Sequence, residues 1–72
     1  MKPPKQVKVE SSNISGVAHD KSGLWVWFKS GGLYRYPEAP KDVYDRFLKA
    51  ESAGSFFRSE VMGKFRHDKI NA

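Results

Sequence analysis

The sequence predicts an α+β domain, a three-stranded antiparallel meander packed on one face by two C-terminal helices. Three features carry that prediction: apolar alternation between Gly23 and Tyr36, glycine-bearing turns on both sides of its longest strand, and a change to four-residue apolar spacing after Pro40. In GLWVWFKSGGLYRYP an extended backbone puts Leu24, Val26 and Phe28 on one face and Trp25, Trp27 and Lys29 on the other.

The opening MKPPKQVKVE holds Pro3, Pro4 and three lysines, so residues 1–10 are expected to be a basic, flexible tail in which Val7 and Val9 could add a short edge strand. A first strand is expected from Ser15 to His19. The tetrad Asp20, Lys21, Ser22, Gly23 then turns the chain, with glycine where positive φ is needed. The second strand runs from Leu24 to Ser30, Gly31 and Gly32 make a tight turn, and Leu33 to Tyr36 form the third. Pro37 cannot donate to a ladder and ends the sheet.

Pro40 pre-sets φ for a helix starting near Lys41. In KDVYDRFLKAE, Val43 pairs with Phe47 and Tyr44 with Leu48, giving an apolar stripe. Gly54 stops it. Ser55 is expected to cap a second short helix through Phe56, Phe57, Val61 and Met62, closed by Gly63. Leu24, Val26, Phe28, Tyr34 and Tyr36 should then pack on Val43, Tyr44, Phe47, Leu48, Phe56 and Phe57, leaving Trp25, Trp27 and Arg35 on an open face.

Seventy-two residues make one domain, and at that size only about 60 % of the unfolded surface is buried. Ten aromatic residues offset the small core, each burying about 150–250 Å². The absence of cysteine excludes disulfides and thiolate metal sites. No apolar run is long enough to span a membrane and the first ten residues lack an apolar signal region, so a soluble cytoplasmic protein is expected. Thirteen Lys and Arg against eight Asp and Glu leave a net charge of +5. Residues 1–10 and 58–72 each carry +2 of it, and basic ends on a near-neutral body suit a polyanion or an acidic protein surface.

The order of these motifs resembles the KTSC domain, a short module met at the C-terminus of some lysyl-tRNA synthetases and as a stand-alone protein in bacteria and phages. The resemblance runs from Val9 to the region of Arg66 through SSNI (Ser11 to Ile14), VAHD (Val17 to Asp20), LWVWFKSGGLYRY (Leu24 to Tyr36), APKDVYDRFLKAES (Ala39 to Ser52) and SAGSFFRSEVMGKF (Ser52 to Phe65). F-x-S-G-G-x-Y-x-Y with a downstream S-x-G-x-F-F is its most specific part. It implies a KTSC-like domain over residues 11–66; residues 67–72, where the apolar residues run out, are expected to be a disordered end. His19 departs from the family, which usually has an aromatic residue there, and Trp25 and Trp27 stand where the family fixes no residue. The resemblance implies a binding module without assigned catalysis, linked to nucleic-acid machinery by association alone.

Taken by themselves, the residues give little support for an enzyme. His19 and His67 fall in no metal-ligand spacing, and His19 beside Asp20 on a strand points to the opposite face, so the pair cannot act as base and orienter. His19 is expected instead as a part-buried core residue. SSNIS lacks a strand-to-helix elbow, and the Gly31–Gly32 pair leads into a strand and not a phosphate-binding helix. No catalysis, cofactor or metal is expected.

Three readings of the tryptophan face stay open. The first is a protein partner anchored by Trp25 and Trp27, with Lys5, Lys8, Lys64 and Arg66 steering it from the tails. The second is RNA, its bases stacked on the rings and its phosphates held by Lys29 and Arg35. In the third, the chain's own ends cover the rings. The expectation adopted is a non-enzymatic adaptor or regulator that docks on a protein of the transcription or translation machinery, as a monomer or weak homodimer. Host RNA polymerase is a target by analogy with phage-type proteins, and direct RNA or tRNA binding is the alternative.

Overall fold

A computed structural model describes residues 3–70. The fold is α+β as expected, but its sheet has five antiparallel strands in chain order and not three. They are β1 (Val7–Lys8), β2 (Ile14–Asp20), β3 (Gly23–Phe28), β4 (Leu33–Tyr36) and β5 (Asp68–Lys69), with helices α1 (Lys41–Lys49) and α2 (Ala53–Phe56) between β4 and β5. The two extra strands are two-residue edge pieces. β5 comes from residues 67–72, expected to be disordered; Asn71 and Ala72 lie outside the described residues, as do Met1 and Lys2.

The meander follows from the turns. Asp20 Oδ1 accepts a hydrogen bond from the Ser22 amide at 2.8 Å, and Gly23 follows with φ of 118°. A Cβ at Gly23 would collide with the Tyr36 carbonyl and lie 2.6 Å from the Cα of Pro37, so strand pairing itself demands glycine there. At the other end the Phe28 amide donates to the Gly32 carbonyl at 2.8 Å, and Gly31 takes φ of 105°.

A register shift between Ile14 and Gly16 inserts one extra residue into β2 opposite β3. This bulge turns Ile14 and Val17, three apart, onto the same face. That face carries Leu24, Val26 and Tyr36 and packs on Val43, Phe47, Phe57 and Val61 to form the main core. Leu48, expected in this core, is 41 % exposed. The apolar stripe of α1 is centred on Val43 and Phe47, so Leu48 lies beyond its edge.

The second helix departs from expectation in length, cap and winding. Ser52, not Ser55, caps it, its Oγ accepting from the Ser55 amide at 3.2 Å. After four residues the chain widens into a π-helical turn, Phe57–Val61, in which the Met62 amide bonds to the Phe57 carbonyl at 2.8 Å.

Candidate functional site

The face expected to be open is a second core. Ala18, Trp25 and Leu33 are buried together, with Trp27 and Ile70 packed against them. Trp25 is 0 % exposed. Its indole Nε1 donates to Asp20 Oδ1 at 2.9 Å, so the carboxylate that shapes the first turn also satisfies the buried ring. The Arg35 guanidinium lies over that ring, 5.9 Å from its centroid, and is held by Asp68 of β5 at 3.0 Å. The end of the chain thus provides both the carboxylate that orients Arg35 and the apolar side chain of Ile70. On the other edge, the Gln6 side chain occupies the space above Gly16. Of the three readings of this face, coverage by the chain's own ends describes the geometry.

Trp25 and Arg35 are therefore structural, which corrects their assignment to an exposed binding face. Trp27 is half-buried beside a shallow hollow shared with Pro3, Leu33 and Ile70. Lys5, Lys8 and Lys29 are exposed. Lys64 lies 3.9 Å from Glu60, and Arg66 lies 3.4 Å from Glu38. The structure brings Lys8 and Lys29 to one shallow depression and does not gather the other residues with them.

His19 and Asp20 diverge, as the pleat requires. His19 Nε2 meets the Ala39 carbonyl at 3.0 Å and must donate, because a carbonyl only accepts; its ring lies 6.0 Å from that of Tyr44. Tyr36 is buried, and loss of water, reinforced by Tyr34, pushes its phenol up to about 12, so it stays neutral at ordinary pH.

A groove of about 580 Å³ lies at the opposite end of the sheet from the Gly23 turn. One wall is the Ser12–Ile14 loop and the end of the β3–β4 hairpin; the other is α2 and the π turn. Ser11 Oγ accepts from the Asn13 and Ile14 amides, each at 3.2 Å, and the Asn13 carbonyl accepts from the Lys29 amide at 2.8 Å, which fastens the loop to the hairpin. Phe28 meets Phe57 edge to face at 5.3 Å across the floor. Bonding from i to i+5 in the π turn brings Met62 round to the side of Phe57, so Met62 lines the groove while remaining 59 % exposed. Lys29 and Arg58 supply one cation from each wall. Among the described residues, no carboxylate lines the groove and neither cation has an ion-pair partner.

Sequence reasoning selected Lys29 from this groove and missed Arg58, Met62, Phe28 and Phe57 as a set. The one available signal was the grouping of the resemblance itself: SSNI, FKSGG and SAGSFF, distant in the chain, all contribute to these walls.

Comparison with known proteins agrees with this architecture. The KTSC domain model matches residues 10–65. A protein of Tsukamurella paurometabola is 40 % identical over 60 residues, covering 81 % of this chain and 90 % of its own. An uncharacterised protein of Stutzerimonas stutzeri is 38 % identical over 55 residues, covering 74 % and 78 % respectively. The crystal structure of a KTSC domain protein from Yersinia pestis superposes with a TM-score of 0.86 at 32 % identity, across 93 % of this chain and 97 % of that one. By sequence and by fold, this chain belongs to the KTSC domain family.

Proposed function

We propose that this chain is a non-enzymatic binding module that docks on a protein partner through the groove between the β3–β4 hairpin and the π turn. The observation that carries this reading is convergence: three segments distant in the chain, all within the span that the KTSC domain model matches, build one concave surface with an aromatic floor, an exposed methionine and cations on both walls. Concave, mainly apolar surfaces with few polar groups are the usual form of a binding site, and exposed methionine adapts to varied partners. The link between KTSC modules and lysyl-tRNA synthetases supports a partner in the gene-expression machinery. Direct RNA binding draws less support, because Trp25, one of the two rings expected to stack on bases, is buried, and Arg35, one of the two cations expected to hold phosphates, is engaged with Asp68.

Capture from a nuclease-treated bacterial lysate, comparing wild type with the double variant Lys29→Glu/Arg58→Glu, tests this. Wild type should retain a defined transcription or translation protein, identified by mass spectrometry, and the variant should lose it. Retention that survives both substitutions, or no retention once nucleic acid is digested, overturns the reading.

A further inference from the structure

We infer that the groove takes an acidic segment of a protein chain carrying one large apolar anchor. This inference rests on the proposed docking function and specifies its partner. The argument is complementarity of charge and shape. Lys29 stands on the hairpin wall and Arg58 on the π-turn wall, both exposed and both without a carboxylate partner among the described residues. Lys29 also borders the adjoining depression, where Lys8 extends the cationic track; the one acid there is Glu10. Unpaired lysines also lie elsewhere on the chain; what distinguishes Lys29 and Arg58 is that they stand on facing walls of an apolar groove with no carboxylate in its lining among the described residues.

Between the cations the lining is Ile14, Phe28, Phe57 and Met62. A phosphate backbone alone would leave that floor uncovered, whereas an apolar side chain flanked by carboxylates covers the floor and meets both cations. The volume of about 580 Å³ suits one or two large side chains and not a folded surface. The flexible thioether of Met62, 59 % exposed, gives the floor a wall that can close on anchors of different shape. Carboxylates near Lys29 and Arg58 would also steer the encounter.

Selection from a display library of short random peptides tests the inference, followed by titration of the enriched peptides against wild type, Lys29→Glu/Arg58→Glu and Met62→Ala. A uridine oligonucleotide serves as a phosphate-only probe. The enriched peptides should carry Asp or Glu beside Phe, Leu or Trp. Charge reversal should weaken them by about tenfold or more, Met62→Ala should weaken them while the acid preference remains, and the oligonucleotide should not compete. Circular dichroism of each variant confirms that these exposed substitutions leave the fold intact. Enrichment of neutral or basic peptides, competition by the oligonucleotide, or affinity indifferent to the charge reversal overturns the inference. A lysate partner that needs the groove but enters it with a neutral segment overturns this inference alone; a partner indifferent to the groove overturns the docking function as well.

Discussion

Removing the hydrogen bond between Trp25 and Asp20 tests whether the second face of the sheet is core. A domain of this length has about 4–11 kcal/mol of stability at the usual ~0.05–0.15 kcal/mol per residue. Trp25 is fully buried, and its truncation to alanine would remove about 3–5 kcal/mol, enough to unfold much of the population. Trp25→Phe is more informative, because it keeps most of the apolar area and removes the Nε1 donor that meets Asp20 Oδ1 at 2.9 Å. Loss of a hydrogen bond to a charged acceptor costs about 1.5–3 kcal/mol. With a urea slope near 1 kcal/mol/M for so small a domain, the midpoint should fall by about 2 M. Asp20→Ala also removes the bond to the Ser22 amide, so the indole bond is isolated by the double-mutant cycle Trp25→Phe/Asp20→Ala. Urea melts followed by circular dichroism should give a coupling of about 1–2 kcal/mol. In Trp27→Phe, where Trp25 is the remaining indole, acrylamide should quench native emission weakly and unfolded emission fully. Additivity within about 0.5 kcal/mol, or strong native quenching, would refute the two-sided core.

Two further outcomes follow from buried groups. The Tyr36 phenol is raised from its ordinary 10.0 to about 12, so the neutral form is favoured by folding; its contribution is complete below pH 10 and is lost as pH rises toward 12. Urea melts should show up to about 3 kcal/mol lost across that window, and Tyr36→Phe should flatten the decline; an unchanged decline would exclude Tyr36 as its source. Gly23→Ala should cost at least about 1–3 kcal/mol, because alanine must adopt φ of 118° with its methyl against the Tyr36 carbonyl and Pro37. A midpoint equal to wild type would mean that the Asp20–Gly23 turn is wrongly described.

What was legible in the sequence was whatever has a period. Alternation placed Leu24, Val26 and Phe28 on the helix side, and the spacing of Val43 and Phe47 defined the buried stripe of α1. What covers the opposite face has no period. β5 is two residues whose pairing rests on Arg35 with Asp68 and on the Ile70 amide donating to the Leu33 carbonyl at 2.9 Å, contacts between residues more than thirty positions apart. The π turn was equally hidden, because a helical pattern from Phe56 to Met62 reads as regular until the backbone bonds to i+5. Alternation identified which side chains share the second face, but exposure depends on partners elsewhere in the chain.

That distinction also bears on the proposed binding surface. In a domain so short, a sheet with one bare aromatic face would forgo a large part of the burial available to it, and Trp25 shows that this chain uses both faces for stability. The proposed docking surface lies instead where backbone geometry, and not a sheet face, presents side chains. The end of the sheet beside the π turn has that character: the Ser12–Ile14 loop is pinned by Ser11, the hairpin by Gly31, and the π turn swings Met62 outward next to Phe57. Substitutions in the second core should therefore act on stability, and substitutions at Lys29, Arg58 and Met62 on binding, so the two sets of variants separate folding from recognition within one small domain.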